Sequence, residues 1–74
     1  MEPDWGEVRE RLMAMPMRKL RPIGSSCLGG MLGGASTKAE YVAEMVSQMS
    51  HCWRNGARAI AERALAAIDE AERG

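Results

Sequence analysis

Lys38 sits in the stretch of this chain best suited to chemistry. It follows the pairs Gly29-Gly30 and Gly33-Gly34 and then Ala35-Ser36-Thr37, and Glu40 comes two residues later. Thr37 and Glu40 have the spacing of a capping box, in which the threonine hydroxyl accepts from a first-turn amide and the glutamate accepts from the cap amide. A glycine-rich approach to a capped helix leaves backbone amides and the Lys38 ammonium facing outward together, an arrangement that can receive an anion. The charge distribution points the same way. Between residues 9 and 58 lie eight basic side chains (Arg9, Arg11, Arg18, Lys19, Arg21, Lys38, Arg54, Arg58) against Glu10, Glu40 and Glu44, a balance of +5 within a chain of net charge zero. The ends are acidic, with Glu2, Asp4 and Glu7 in front and Glu62, Asp69, Glu70 and Glu72 behind. A basic middle of this size is a modest footprint for a polyanion, and on charge alone an ordinary solvated face is the favoured reading.

Other chemistries find less support. The glycine run lacks the Gly-Lys-Ser/Thr ending of a phosphate loop and the spacing of a dinucleotide fingerprint after a strand. Cys27, His51 and Cys52 are the only soft ligands. His51 and Cys52 are neighbours on a helix, point about 100° apart, and do not complete a four-ligand zinc site with Cys27. His51 is expected on a partly exposed polar face. Ser25-Ser26 has no base nearby in sequence, and no carboxylate pair sits in an apolar setting, so the expectation is a non-enzyme with no cofactor and no metal. The two cysteines read as buried cytosolic thiols rather than a disulfide. There is no apolar run of about eighteen residues and no basic-then-apolar leader, so a cytoplasmic protein without a membrane span is expected.

The elements that must position Lys38 are all helical. Seventy-four residues make one small domain, with seven Met and no Phe in its apolar complement; a core of this kind packs adaptably. From about Pro3 to residue 15, Trp5, Val8, Leu12 and Met15 fall on one face, with Asp4 as N-cap and Glu7 completing a second capping box. Trp5 reads as a lid on the core. Pro16 suits the first position of a second helix, roughly Pro16 to Cys27. That helix turns Met17, Leu20, Ile23 and Cys27 inward and Arg18, Lys19 and Arg21 outward. Pro22 must kink it or split it, and Gly24, Ser25 and Ser26 should let it fray. A loop from Leu28 to Ser36 follows, with Leu32 as an apolar plug. A helix from Thr37 to about Arg54 then repeats Val42, Met45, Val46, Met49 and Trp53, widened by Tyr41 and Cys52. Asn55-Gly56 closes it in the left-handed conformation. The last helix, from Ala57 to about Glu72, carries Ala57, Ile60, Ala61, Ala64, Leu65 and Ile68 on a narrow stripe. No segment alternates as a strand would. The expected fold is all-α, with a helix, extended loop and helix core over residues 16–54 and flanking helices at either end.

The order of a short basic helix, a glycine-bearing loop with an apolar plug and Lys-Ala-Glu opening a longer helix resembles the SAP family of helix-extension-helix domains. The resemblance is carried by Leu32-Gly33-Gly34-Ala35-Ser36-Thr37-Lys38-Ala39-Glu40-Tyr41-Val42, with Leu20 matching the inward leucine of the family's first helix. It covers about Met17 to Met49. It departs in the longer link from Leu20 to Leu32, broken by Pro22, and in Ala35-Ser36 where the family usually has serine-glycine. The resemblance implies binding to DNA, often with little sequence preference in this family, through the basic first helix and the start of the second. Carried onto this chain, it implicates Arg18, Lys19, Arg21 and Lys38, with the amides around Gly34, Ser36 and Thr37.

Two functions are therefore expected to compete. One is a nucleic-acid-binding module that contacts the phosphates of double-stranded DNA with little sequence preference. The other is a protein-interaction domain using the Met/Ala face for a partner or for a weak homodimer through the first and last helices, with the acidic tail lying on Arg9 and Arg11 of the same or a second copy.

Overall fold

The structure is a computed structural model that describes residues 1–29 and 35–74. It is all-α, and among the described residues there is no strand. The first helix, α1, spans Trp5–Met13. Asp4 caps it from extended backbone, its Oδ1 accepting from the amides of Gly6 at 3.0 Å and Glu7 at 3.2 Å. Only the aspartate half of the expected capping box forms. Val8 and Leu12, one turn apart, are buried, and Met15 is buried beyond the helix end. The helix stops earlier than its apolar spacing suggests because the residue before a proline is pushed out of helical conformation.

Pro16 is the N-cap of α2, Met17–Ile23, rather than its first residue. Its carbonyl accepts from Lys19 at 2.9 Å and Leu20 at 3.3 Å. Pro22 lies inside this helix, where it donates no backbone hydrogen bond. The expected fraying does not follow. Gly24–Leu28 continues as a π turn, closed by the Gly29 amide on the Gly24 carbonyl. The Ser26 hydroxyl donates to the Pro22 carbonyl at 2.7 Å, taking up an acceptor close to the irregularity. The wider turn keeps Ile23 and Leu28, five positions apart, both in the core. Leu28, expected to open the loop, therefore belongs to the helical segment. The Leu32 plug and most of the expected extension lie at 30–34, outside the described residues.

The third helix, α3, spans Lys38–Arg54 and is the scaffold of the molecule. Val42, Met45, Met49 and Cys52 are buried along it, while Tyr41, Val46 and Trp53 are half-buried at the edges of that stripe. At its end Gly56 takes φ 85°, and the Ala57 amide reaches back to the Cys52 carbonyl at 3.0 Å, the longer bond of a Schellman-type close. The fourth helix, α4, spans Arg58–Arg73 and lies along α3 and the π turn. Its alanines are what permit that approach: Ala61, Ala64 and Ile68 have no exposed surface.

Of the stripe on which association between copies was expected, Ala64 and Ile68 are buried within one chain, as are Met45 and Met49, while Ile60 and Leu65 are half-buried against the core. The acidic end of α4 also meets Arg11 within the chain, through Asp69 and Glu72. Both cysteines are free thiols, Cys52 buried and Cys27 half-buried. Among the described residues no helix is long and apolar enough to cross a membrane.

At the far end of α3 the two tryptophans meet. Trp5 and Trp53 pack edge to face, 6.3 Å between centroids and 76° between planes. The indole N–H of Trp5 donates to Glu2 at 2.7 Å, and Arg54 donates to the same carboxylate oxygen at 2.9 Å. Trp5 is half-buried, as a lid would be.

Candidate functional site

A cleft of about 360 Å³ opens between α2 and the start of α3, lined by Met17, Arg21, Ala35, Ser36, Thr37, Lys38 and Tyr41. Four of the residues singled out from sequence meet there. Arg21 comes from the outward face of α2, and Ser36, Thr37 and Lys38 come from the lead-in to α3. Tyr41 and Met17, assigned from sequence to the apolar stripes, form the remaining wall. Arg18 stands on α2 beside them and is exposed. Gly34 lies outside the described residues.

The capping box forms in full, and this changes what the helix start can offer. Glu40 Oε1 accepts from the Ser36 hydroxyl at 2.7 Å, the Ser36 and Thr37 amides at 3.1 Å each, and the Thr37 hydroxyl at 3.2 Å. In return the Glu40 amide donates to Thr37 Oγ1 at 3.1 Å. The Ser36 and Thr37 amides expected to face an anion therefore already hold a carboxylate of the chain itself. The Ser36 hydroxyl and amide, with those of Thr37, keep the Glu40 carboxyl below its usual pKa. Among the described residues, the amides of Lys38 and Ala39 remain without an intramolecular acceptor at the positive end of the α3 dipole.

The cations divide into bound and unbound. Lys38 Nζ donates to the Met13 carbonyl at 2.7 Å, placing its ammonium at the C-terminus of α1. Lys19 Nζ donates to the Ala71 carbonyl at 2.9 Å and does the same for α4. A cation at a helix C-terminus complements the dipole there. Lys19, expected to face outward with Arg18 and Arg21, is instead partly buried in this contact. Arg18 and Arg21 are exposed and form no ion pair among the described residues.

At the other end of α3, Arg54 pairs with Glu2, and the Arg58 guanidinium lies 4.0 Å from the Trp53 ring centroid. The basic middle of the sequence is therefore split between two ends of the fold. Sequence spacing gives no signal for this, because the partners of Lys19, Lys38 and Arg54 lie 52, 25 and 52 positions away.

The other chemical candidates do not gather. Among the described residues no group of three His, Cys, Asp or Glu side chains could hold a metal ion. His51 is exposed, its Nδ1 3.2 Å from the Asn55 amide nitrogen. Compared with protein-family models, with curated proteins and with solved structures, the chain matches none.

Proposed function

We propose that this chain is a small nucleic-acid-binding module that works in the cytoplasm and contacts phosphates, duplex DNA foremost, with little sequence preference. The observation that carries this is the cleft between α2 and α3, where Arg21 and Lys38 face the same space beside the exposed Arg18. Arg18 and Arg21 are the contacts with most freedom, being exposed and without an ion pair among the described residues. Lys38 adds charge while bonded to Met13, and its amide and that of Ala39 supply donors at a helix start. Glu40 opposes an incoming phosphate, which favours contact along the α2 wall over direct insertion at the cap. The SAP-like order of elements supports the same face. A partner-protein reading rests on the Met/Ala stripe, of which Met45, Met49, Ala61, Ala64 and Ile68 are buried inside the chain and Ile60 and Leu65 are half-buried.

The test is fluorescence anisotropy with a labelled random-sequence duplex at two salt concentrations, comparing the parent with Arg18→Glu/Arg21→Glu. Each phosphate contact contributes about 0.9 to the log–log salt slope. The double variant should lose roughly two units of slope along with most of its affinity. An unchanged affinity, with the helical circular dichroism intact, rejects this face.

A further inference from the structure

The charges of α4 are arranged against its own dipole. Arg58 sits in the first turn, whereas Asp69, Glu70 and Glu72 crowd the last turns, where the helix end is already negative and the one cation, Arg73, pairs with Glu70 at 3.1 Å. Carboxylates there weaken an isolated helix, so their placement calls for a compensating partner. Arg11 is that partner. Its guanidinium holds both oxygens of Glu72, at 2.6 and 3.1 Å, and Asp69 Oδ1 as well. Hydrogen bonds to Glu72 and then Asp69 raise the Arg11 pKa, and the bond from Arg11 lowers that of Glu72. Lys19 completes the dock by bonding the Ala71 carbonyl.

These contacts lie beside the candidate site. Arg18 adjoins Lys19 on α2, and Lys38 grips the C-terminus of α1 just beyond Arg11. The last turns of α4 therefore pair one cation, Arg11, with carboxylates and hold a second, Lys19, through a neutral carbonyl, at the end of the fold that carries Arg18, Arg21 and Lys38. The contact is open to exchange, since the Arg11 side chain is 29% exposed, that of Asp69 51% and that of Glu72 36%.

We propose that Asp69 and Glu72 form an autoinhibitory latch, a pair of internal carboxylates that occupies Arg11 and keeps it from phosphates. The proposal rests on the nucleic-acid reading and adds regulation to it. With the latch closed, Arg18, Arg21 and Lys38 are the cations available to phosphates. With it open, Arg11 joins them. A bidentate guanidinium is suited to either anion, because carboxylate and phosphate present the same pair of acceptors to its fork.

The experiment measures the salt dependence of binding to a fluorescein-labelled random-sequence duplex for the parent, for Asp69→Asn/Glu72→Gln, and for Glu7→Gln/Glu10→Gln, two exposed carboxylates in no ion pair among the described residues. The last variant makes the same change in net charge without touching Arg11. Opening the latch should raise affinity at low salt and steepen the slope by about one unit, for the one released cation that reaches a phosphate. The control should change the slope little. Adding Arg11→Gln to the latch variant should remove about one unit again. Binding by the latch variant alone, with none by the parent, supports complete inhibition. Equal slopes for parent and latch variant overturn the latch but leave the nucleic-acid reading standing. An equal gain in the control also overturns it, because bulk charge then accounts for the effect. No binding by any of the proteins at low salt overturns both. If the latch variant melts early, the comparison of parent with Arg11→Gln decides: a closed latch predicts no loss of slope, and a loss of about one unit refutes it.

Discussion

Leu20→Ala offers the sharpest check on the packing that builds the cleft. Leu20 has no exposed surface and lies on the inner face of α2, whose outer face carries Arg18 and Arg21. Truncation to alanine removes the equivalent of about three methylene groups, each contributing about 0.8 kcal/mol on burial. The cavity left behind adds to this, bringing the expected cost to about 2–5 kcal/mol. A domain of this size has a total stability of about 4–11 kcal/mol at the usual contribution per residue. The variant should therefore retain its fold only marginally, with a melting temperature lower by roughly 8–40 °C at about 4–8 °C per kcal/mol. Thermal and urea unfolding followed by circular dichroism would measure it, with exposed Arg18→Ala on the same helix as the control, expected within about 0.5 kcal/mol of the parent. A Leu20→Ala melt within about 2 °C of the parent would mean that α2 is not docked through this residue. The wall of the cleft would then lose its support.

Thr37→Ala removes the hydroxyl that accepts from Glu40 and should cost about 0.5–2 kcal/mol in urea unfolding, while Ser36→Ala leaves that half of the box intact. Gly56→Ala forces a side chain into a left-handed position at φ 85° and should cost about 1–2 kcal/mol, although nothing lies within contact of the added methyl group. Glu2, Glu40 and Glu72 all have folded-state pKa values below their usual 4.5. Their stabilisation is therefore complete above about pH 4.5 and is lost as the pH falls through the lowered values. Melting temperature should hold steady down to about pH 5 and then drop, and Glu40→Gln should make that acid limb shallower. A melting temperature that rises below pH 4 would contradict the assignment of these three carboxylates.

Much of the fold was legible because local rules and tertiary packing agree. The Thr37–Glu40 box, the buried sequence Val42, Met45 and Met49, the glycine close at Gly56 and the inward Leu20 all follow from spacing alone. The misreadings cluster where two local rules conflict. Pro22, Gly24, Ser25 and Ser26 each argue against a helix, yet a π turn reconciles them by moving the register one position and placing a serine hydroxyl on the proline carbonyl. Pro16 and the end of α1 shifted by a residue or two for similar reasons. In the candidate site, the gathering of Arg21 with residues 36–38 was legible from the order of elements. The capture of Lys19 and Lys38 by helix ends was not, since a lysine marks a solvated face in sequence whether or not a distant carbonyl awaits it. Glu40 was read correctly as a cap, but its occupation of the Ser36 and Thr37 amides follows only once those donors are placed together.

The ties that close this fold have a consequence for its synthesis. Glu2 meets Arg54 across 52 positions, and Arg11 meets Glu72 across 61. A ribosome makes about 5–20 residues per second, so α1 waits roughly 3–12 s between its own completion and the arrival of the residues that hold Arg11. During that interval Val8 and Leu12 have no finished core to enter, and α1 must await first α3 and then the end of α4. Slow translation anywhere between residues 14 and 72 would prolong the exposure of that apolar face, so the yield of folded protein should depend on codon choice after α1 rather than within it.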